Sequence, residues 1–472
     1  MYSKYIQVIL REIQRQPNLN QEMVFLKKSR WSCLFLLLLG LVPMAISAPF
    51  PIEKPDSALQ AYINRVLQSH PNLEAMQAMA AAQSYRAAMS RSWMNPDLRI
   101  GLMNQPDNFD LWSDPMTMIQ VGVMQRVPFP GKLRAAGAAA DAGTKRSELT
   151  TERERSVMAG MAAMAYYDLA GAMAVRDWTQ RGAETARQMT DAATVMVSSG
   201  MGSLSDINQG RLGEEEWERR LIASRGEIDR KQAVFDYFEN QPSTAGNFSP
   251  IIPSNLPSVP AVEVMLADEV IAATPQVKLA LAEVESARRS EAAARLDYYP
   301  DVDLMLACGL RGDLKSAGGV DPMTGVATPA GRINQDNMIS LEATFPIPLF
   351  HKGNQSAKIQ EMRQMRIAAE AAAKDAKLIQ VREIRELHSR LTEELASLQV
   401  LTERIIPETE SAYQNTSADY RSGKTPFMTL SQVRMKWVMA QMEAAMTKAE
   451  VWGRYYQLMA ALGWMQIETG EK

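Results

Sequence analysis

The chain has 472 residues, a formal net charge of −3 and 46% hydrophobic residues. That length is too great for one ordinary core, so two or three units are expected, and the near-neutral charge supplies no basic face for nucleic acid. With only two cysteines and three histidines, a disulfide framework or a thiolate metal cluster is excluded; methionine is the outlier, at 31.

The N-terminus has the parts of an export signal. Lys27, Lys28 and Arg30 precede an apolar run from Cys33 to Val42, and Ala45-Ile46-Ser47 is a small-x-small cleavage site. Residues 1–47 are therefore assigned to an N-terminal extension and signal peptide, with Met23 as the expected start and Ala48 as the expected mature N-terminus. The run is too short to serve as an anchor, and no cysteine closely follows it to carry a lipid. Cys33 leaves with the signal, so Cys308 stands alone, which suits a periplasmic protein without a disulfide. Beyond the signal no run of about 18 apolar residues exists, so residence in a membrane requires a β-barrel.

The first unit is expected over residues 48–241. Its opening helix runs from Ser57 to Gln68, with Asp56 or Ser57 as N-cap. Pro71 suits the first turn of an alanine-rich helix, Asn72 to Ser92. Strands are predicted at residues 97–104 and 116–127, then a helical hairpin over 131–241. No proline occurs from Gly131 to Gln241, and good helix formers dominate. The single break is at Ser198-Ser199-Gly200-Met201-Gly202-Ser203, which makes the first arm about 65 residues, or roughly 100 Å.

A Pro/Ser/Asn-rich linker follows at 242–260. The second unit, 261–463, repeats the plan. Pro275 opens a helix to Leu296, and strands are predicted at 301–310 and 338–346. The Gly/Asp/Pro-rich segment from Gly309 to Asn337 is expected to be a loop facing the exterior. A hairpin over 352–462 turns at Ser422-Gly423-Lys424-Thr425-Pro426. Pro407 is predicted to kink its first arm. Residues 464–472 form a tail.

The two units share motifs in order. His70-Pro71-Asn72-Leu73 matches Thr274-Pro275-Gln276-Val277, and Asn95-Pro96-Asp97-Leu98 matches Tyr299-Pro300-Asp301-Val302. Val127-Pro128-Phe129 matches Ile347-Pro348-Leu349, Ser199-Gly200 matches Ser422-Gly423, and Gln209-Gly210-Arg211 matches Gln432-Val433-Arg434. The chain thus reads as a duplicated unit of about two hundred residues, too long for a solenoid repeat.

The strands alternate with period two. Leu98, Ile100 and Leu102 share a face, as do Ile119, Val121 and Val123; Val302, Leu304 and Leu306; and Ile339, Leu341, Ala343 and Phe345. Between them lie Arg99, Met103, Met118, Gln120, Met124, Asp303, Met305 and Glu342. Such alternation is expected of barrel strands facing lipid outside and a wet lumen inside; the alternative is a half-buried soluble sheet. Four strands cannot close a barrel, since about eight are needed, and an open edge in lipid is costly. Several copies must contribute, and three copies supply twelve strands, enough for an aqueous bore.

With these features the chain resembles the outer membrane factor family, the TolC-like efflux ducts, over nearly all of its mature length. The residues that carry the likeness are Gln125-Arg126-Val127-Pro128-Phe129-Pro130-Gly131-Lys132, Pro71-Asn72-Leu73 and the hairpin tips at Gly200 and Gly423. Asn95-Pro96-Asp97, Met116-Thr117-Met118 and Phe129-Pro130-Gly131-Lys132 are similar to the heavy-metal (CzcC/CusC-like) branch, which exports copper, silver, cobalt, zinc or cadmium. The resemblance implies a mainly α fold with a small β part: a homotrimer with a 12-stranded β-barrel in outer-membrane lipid joined to a 12-helix α-barrel in the periplasm. It implies two partners, a periplasmic adaptor (membrane fusion protein) and an inner-membrane pump of the resistance-nodulation-division (RND) class. It implies a constriction at the hairpin tips, carried onto Gly200, Asp206, Gln209 and Arg211 in the first tip and Gly423, Thr429, Gln432 and Arg434 in the second. Thr429 and Gln432 stand where some relatives carry aspartates, which departs from an inner acidic ring.

Competing readings attach to several residues. Met435, Met439, Met442 and Met446 follow helical spacing; they are core packing or a thioether path for Cu(I) or Ag(I). Met103, Met118, Met124 and Met305 fall on the predicted lumenal face, where transient metal contact and plain wall lining both remain open. Arg99, Asp303 and Glu342 are expected either to form charged rings or merely to wet the wall. Asp206 and Arg211 are expected either to pair across tips or to be solvated, and Glu214-Glu215-Glu216 to be a solvated face. His70, His351 and His388 are too scattered for a zinc site. With no catalytic or phosphate-binding motif, no enzyme and no cofactor are expected. The function read from the sequence is passive conduction of heavy-metal cations; the alternatives are a type I secretion or drug-efflux duct of the same fold and, more distantly, a periplasmic coiled-coil scaffold.

Overall fold

A computed structural model describes residues 55–107, 114–240, 250–316, 318–320, 323–328, 330–347 and 349–465. The signal region with its cleavage site, residues 241–249 of the linker and residues 466–472 of the tail lie outside the described residues.

Helix α1, Ser57–Ser69, buries Leu59, Tyr62, Ile63, Val66 and Leu67 at spacings of three and four. Asp56 is its N-cap but makes no side-chain bond to the helix backbone. His70 ends α1 and accepts a hydrogen bond from the Asn72 amide at its Nδ1 (3.3 Å), while Pro71 opens α2, Pro71–Arg91. Strands β1, Asp97–Met103, and β2, Met118–Val127, follow. Two long helices come next: α3, Lys132–Ser198, and α4, Leu204–Glu239. At 67 residues, α3 is roughly 100 Å long.

The second half opens with two short helices, α5 (Val262–Met265) and α6 (Asp268–Ala273), then α7, Pro275–Leu296, and β3, Val302–Leu310. The segment predicted to be loop holds two small ladders. In them β4 (Leu314–Ser316) pairs with β7 (Gly331–Ile333), and β5 (Gly319–Val320) pairs with β6 (Ala327–Thr328). Strand β8, Met338–Thr344, leads through a 3-10 turn at His351–Gly353 into α8, Gln355–Val400. Leu401–Ile405 form a π turn, after which α9 (Ile406–Arg421) and α10 (Phe427–Leu462) complete the hairpin. Pro407 has no N–H to donate to the preceding turn and its ring crowds that turn's carbonyl. One wide turn accommodates both, so the interruption takes the form of a π turn with the helix continuing beyond it.

The long strands form one antiparallel sheet in the order β1-β2-β3-β8, so β2 and β3 bring the two halves together and β1 and β8 are the edges. Helices α2 and α7 lead into β1 and β3, and β2 and β8 lead out to α3 and α8, all at the same end of the sheet. The junction is held by Asp301, whose Oδ1 accepts hydrogen bonds from the Phe129 amide (3.0 Å) and the Lys132 ammonium (2.8 Å). The Phe129 ring stacks on Tyr299 at 4.4 Å. The Phe129-Pro130-Gly131-Lys132 elbow needs Gly131, whose φ is +93°.

Helix α3 is the hub, packing against α2, α4, α7 and α10. The main aromatic core lies along it: Tyr62 stacks on Phe235 (4.1 Å) and donates to the Phe235 carbonyl (3.1 Å), and Tyr167 stacks on Tyr456 (5.9 Å) beside Trp452. Close approach of α3 to α10 depends on Gly160, where a Cβ would stand 2.8 Å from that of Ala460. No described helix is long and apolar enough to cross a membrane.

Candidate functional site

Directly opposed residues of an antiparallel pair project to the same face, so the register sorts every strand side chain. One face carries Leu98, Val123, Leu306 and Leu341 in one row, then Ile100, Val121, Cys308 and Ile339, then Leu102, Ile119 and Leu310. On the edge strands it is bare, with Ile100 70% exposed, Leu341 79% and Ile339 80%, while Ile119, Val121 and Cys308 on the middle strands are half-buried. A soluble sheet covers its apolar face, and this one does the opposite.

The other face carries every strand residue predicted to be lumenal. Asp97, Met124, Met305 and Glu342 make one row. Arg99, Gly122, Ala307 and Ser340 make the next, followed by Gly101, Gln120, Gly309 and Met338, and Met103 is opposed to Met118 at the loop end. At the helix end, Arg126 grips Asp303 through two hydrogen bonds, Nε to Oδ1 (2.7 Å) and Nη2 to Oδ2 (3.0 Å). Thr344 donates to Glu342 (3.1 Å). The Met118 sulfur sits where Gly309 has no side chain, and Arg311 contacts the Met338 sulfur.

The second candidate region is the pair of hairpin turns at the far end of the long helices. Gly200 and Gly423 take φ of +76° and +73°, as a helix-ending glycine does. Asp206 closes a capping box: its Oδ2 accepts from the Ser203 amide (3.1 Å), and the Ser203 hydroxyl accepts from the Ser205 amide (3.2 Å). Gln209 donates to Ser205 (3.3 Å). Arg211, Thr429 and Gln432 are exposed.

Arg434 differs from its predicted companions. It is 3% exposed, shut between α3, α4 and α10. Its Nη2 donates to the Gly182 carbonyl, its Nη1 points at the Met189 sulfur (3.5 Å), and its guanidinium lies 5.7 Å from the centre of the Trp217 ring. Burial pulls its pKa from the usual arginine value to about 10. It lines, with Gln209, Trp217, Met428 and Gln432, a cavity of about 190 Å³ between α4 and α10.

Tyr420 belongs to the tip and was not foreseen from sequence. It packs with Met189, Ala193, Phe427 and Leu430, and burial, then the nearby Asp206 carboxylate, pushes its phenol up. An aromatic three residues before Gly423 was the available signal. In the methionine seam of α10, Met442 packs beside Trp217 and Val438 while Met439 is 46% exposed, so the seam is only in part packing.

The family model described as outer membrane efflux protein matches the chain twice in succession, over residues 62–234 and 266–464. No curated protein sequence matches. Among solved structures, the outer-membrane channel OprN superposes with a TM-score of 0.69 at 17% identity, covering 90% of this chain and 96% of its own. VceC, an outer membrane protein of Vibrio cholerae, gives 0.68 at 16% identity, covering 86% and 96%. CusC, described in terms of folding and transmembrane channel formation, gives 0.67 at 13% identity, covering 86% and 92%. At these identities the superpositions establish a shared fold.

Proposed function

The chain belongs to the outer membrane efflux protein family, and from that premise we propose that three copies form the outer-membrane duct of a tripartite efflux system that passively conducts heavy-metal cations such as copper or silver. It is a channel and not an enzyme. The observation that carries the reading is the inverted sheet, with its apolar face exposed and its charged and polar face turned to the other side. That arrangement has a low free energy only with lipid outside and water inside. Edges β1 and β8 carry unpaired backbone groups that a neighbouring copy satisfies, so three copies close a twelve-stranded wall. The helical hairpins continue the passage through the periplasm. The twofold family match supports a duplicated unit, each copy contributing two long strands and one hairpin.

The hairpin tips are proposed as the periplasmic entrance, meeting an adaptor protein and, beyond it, an RND-type inner-membrane pump that supplies the energy. There Arg211, Thr429 and Gln432 are free to face the bore or a partner, Asp206 fixes the turn, and Arg434 holds helices together from within. The metal reading rests on the strand-face methionines and on the likeness to the heavy-metal branch.

Two measurements test the proposal. The purified mature protein in detergent should have the mass of three copies and form steady conducting pores in a planar bilayer; a detergent-free soluble monomer overturns the duct. Deleting the gene should reduce copper and silver tolerance. Unchanged tolerance with loss of a secreted protein or of drug resistance replaces the cargo and keeps the duct.

A further inference from the structure

We propose that the row Asp97–Met124–Met305–Glu342 on the inner strand face is a binding row for soft monovalent cations, Cu(I) or Ag(I), selecting them above hard and borderline ions during passage. The proposal rests on the duct reading above and deepens it, naming the class of cargo and the side chains that recognise it.

The primary observation is a complete segregation. Every methionine of the four long strands, Met103, Met118, Met124, Met305 and Met338, lies on the charged face. Every leucine, isoleucine and valine of those strands lies on the other. Methionine and leucine are close in volume and both are apolar, so burial and packing do not separate them. What separates them is sulfur, a soft donor that prefers Cu(I) and related ions.

The row itself is built for a cation. Met124 and Met305 are directly opposed, which sets their Cβ atoms about 4.5–5.5 Å apart. Three rotatable bonds on each side chain let both sulfurs turn to one ion. A thioether pair is neutral and does not attract charge at a distance; here Asp97 flanks it on one strand and Glu342 on the other. The neighbouring charges leave that attraction in place. Arg126 is committed to Asp303, so Asp97 and Glu342 beside the thioethers face only Arg99 within the strands, while Arg311 lies away at the loop end against the Met338 sulfur. Next to the thioethers the following row has Gly122 and Ala307 in the middle, where a Cβ on Gly122 would be 2.8 Å from that of Ala307. Both residues are buried, so the two middle strands pack closely there under the neighbouring side chains. Met103 and Met118 continue the thioether path toward the loop end, where Arg311 already engages the Met338 sulfur, so an ion is handed outward between weak sites, as conduction requires.

The test is ion-specific block of the trimeric channel in a planar bilayer, in potassium nitrate so that silver stays in solution. The parent for all measurements carries Cys308→Ser, which removes the thiol, itself on the opposite face. Silver nitrate should alter the current of this parent. With each channel's current normalised to its own potassium conductance, the double variant Met124→Leu/Met305→Leu should need about tenfold more silver for the same fractional effect, while zinc nitrate should act equally on both. A parent indifferent to silver, or a double variant as sensitive as the parent, overturns the binding row while leaving the duct intact. A parent that conducts nothing overturns the duct reading itself. If the double variant does not assemble, X-ray absorption of the parent loaded with about one silver ion per chain decides the matter. Sulfur neighbours are expected, and an oxygen-only shell overturns the proposal.

Discussion

Arg434 illustrates how a residue can belong to the tip by sequence and to the wall by structure. Its guanidinium has a carbonyl, a sulfur and an indole for company, and no carboxylate is among its contacts. Its folded pKa of about 10 lies below the usual arginine value, so folding disfavours the charged form. The cost is full at every pH below that value and is relieved only as pH rises through it. At neutral pH the charge is therefore present, with no carboxylate among its contacts to offset its burial. Replacing a buried charge that lacks an opposite charge with an apolar side chain of similar length removes its desolvation penalty. Arg434→Met should accordingly leave the thermal midpoint, followed by helical circular dichroism, unchanged or raised. Gly182→Ala acts on the same contact with the opposite sign. A Cβ there would stand 2.5 Å from the Trp217 ring, and overpacking of this kind costs about 1–3 kcal/mol. A marked fall for Arg434→Met shows that its hydrogen bonds outweigh its desolvation.

Between elements, the tie from α7 to α8 runs through Glu291. Its carboxylate accepts from Arg366 (2.6 Å) across the helix pair and from Arg295 (2.6 Å) one turn along its own helix. Those two guanidinium groups hold its carboxyl below the usual carboxylate value. A depressed acid stabilises the fold fully above its ordinary pKa and loses that contribution as pH falls through the folded value. The wild type should therefore become less heat-resistant as pH drops below the ordinary carboxylate value of 4.5. Glu291→Gln should start lower at neutral pH and show a shallower acid decline, measured as midpoint against pH; parallel profiles remove Glu291 from the account.

Elements of this kind were legible to different degrees. The strands could be read because a two-residue period in sequence becomes a face in space without further folding information. All eight residues assigned to the inner face share one face of the sheet for that reason. The long helices of the first hairpin could be read because proline is absent from Gly131 to Gln241 and good helix formers dominate. Arg434 could not, because its partners Gly182 and Trp217 are brought to it by tertiary packing and no local pattern records them. Asp206 had a legible role that competed with the one given it, since Ser203 and Asp206 have capping-box spacing. The ladders β4–β7 and β5–β6 escaped because strands of two or three residues have no period to detect.

For the whole molecule the decisive question is whether the apolar face of the sheet meets lipid as proposed, and adjacent residues of β8 test it. Leu341 and Ser340 are neighbours in sequence on opposite faces, the first in the apolar row with Leu306 and the second opposite Ala307. A lysine in the lipid-facing position of a barrel costs about 2–4 kcal/mol near the bilayer midplane and far less on the wet side. In the proposed three-copy wall each copy bears that cost, which multiplies it for the assembly. Leu341→Lys should therefore strongly reduce the amount of assembled trimer recovered from outer membranes. Ser340→Lys should assemble normally and change only the conductance and its cation preference, since its charge enters the passage. Both substitutions add the same side chain, one residue apart, so strand propensity and edge position are held nearly constant and the contrast reports the face alone. Equal recovery of the two variants shows that neither face is set against lipid, and the sheet is then a soluble one with an uncovered partner surface.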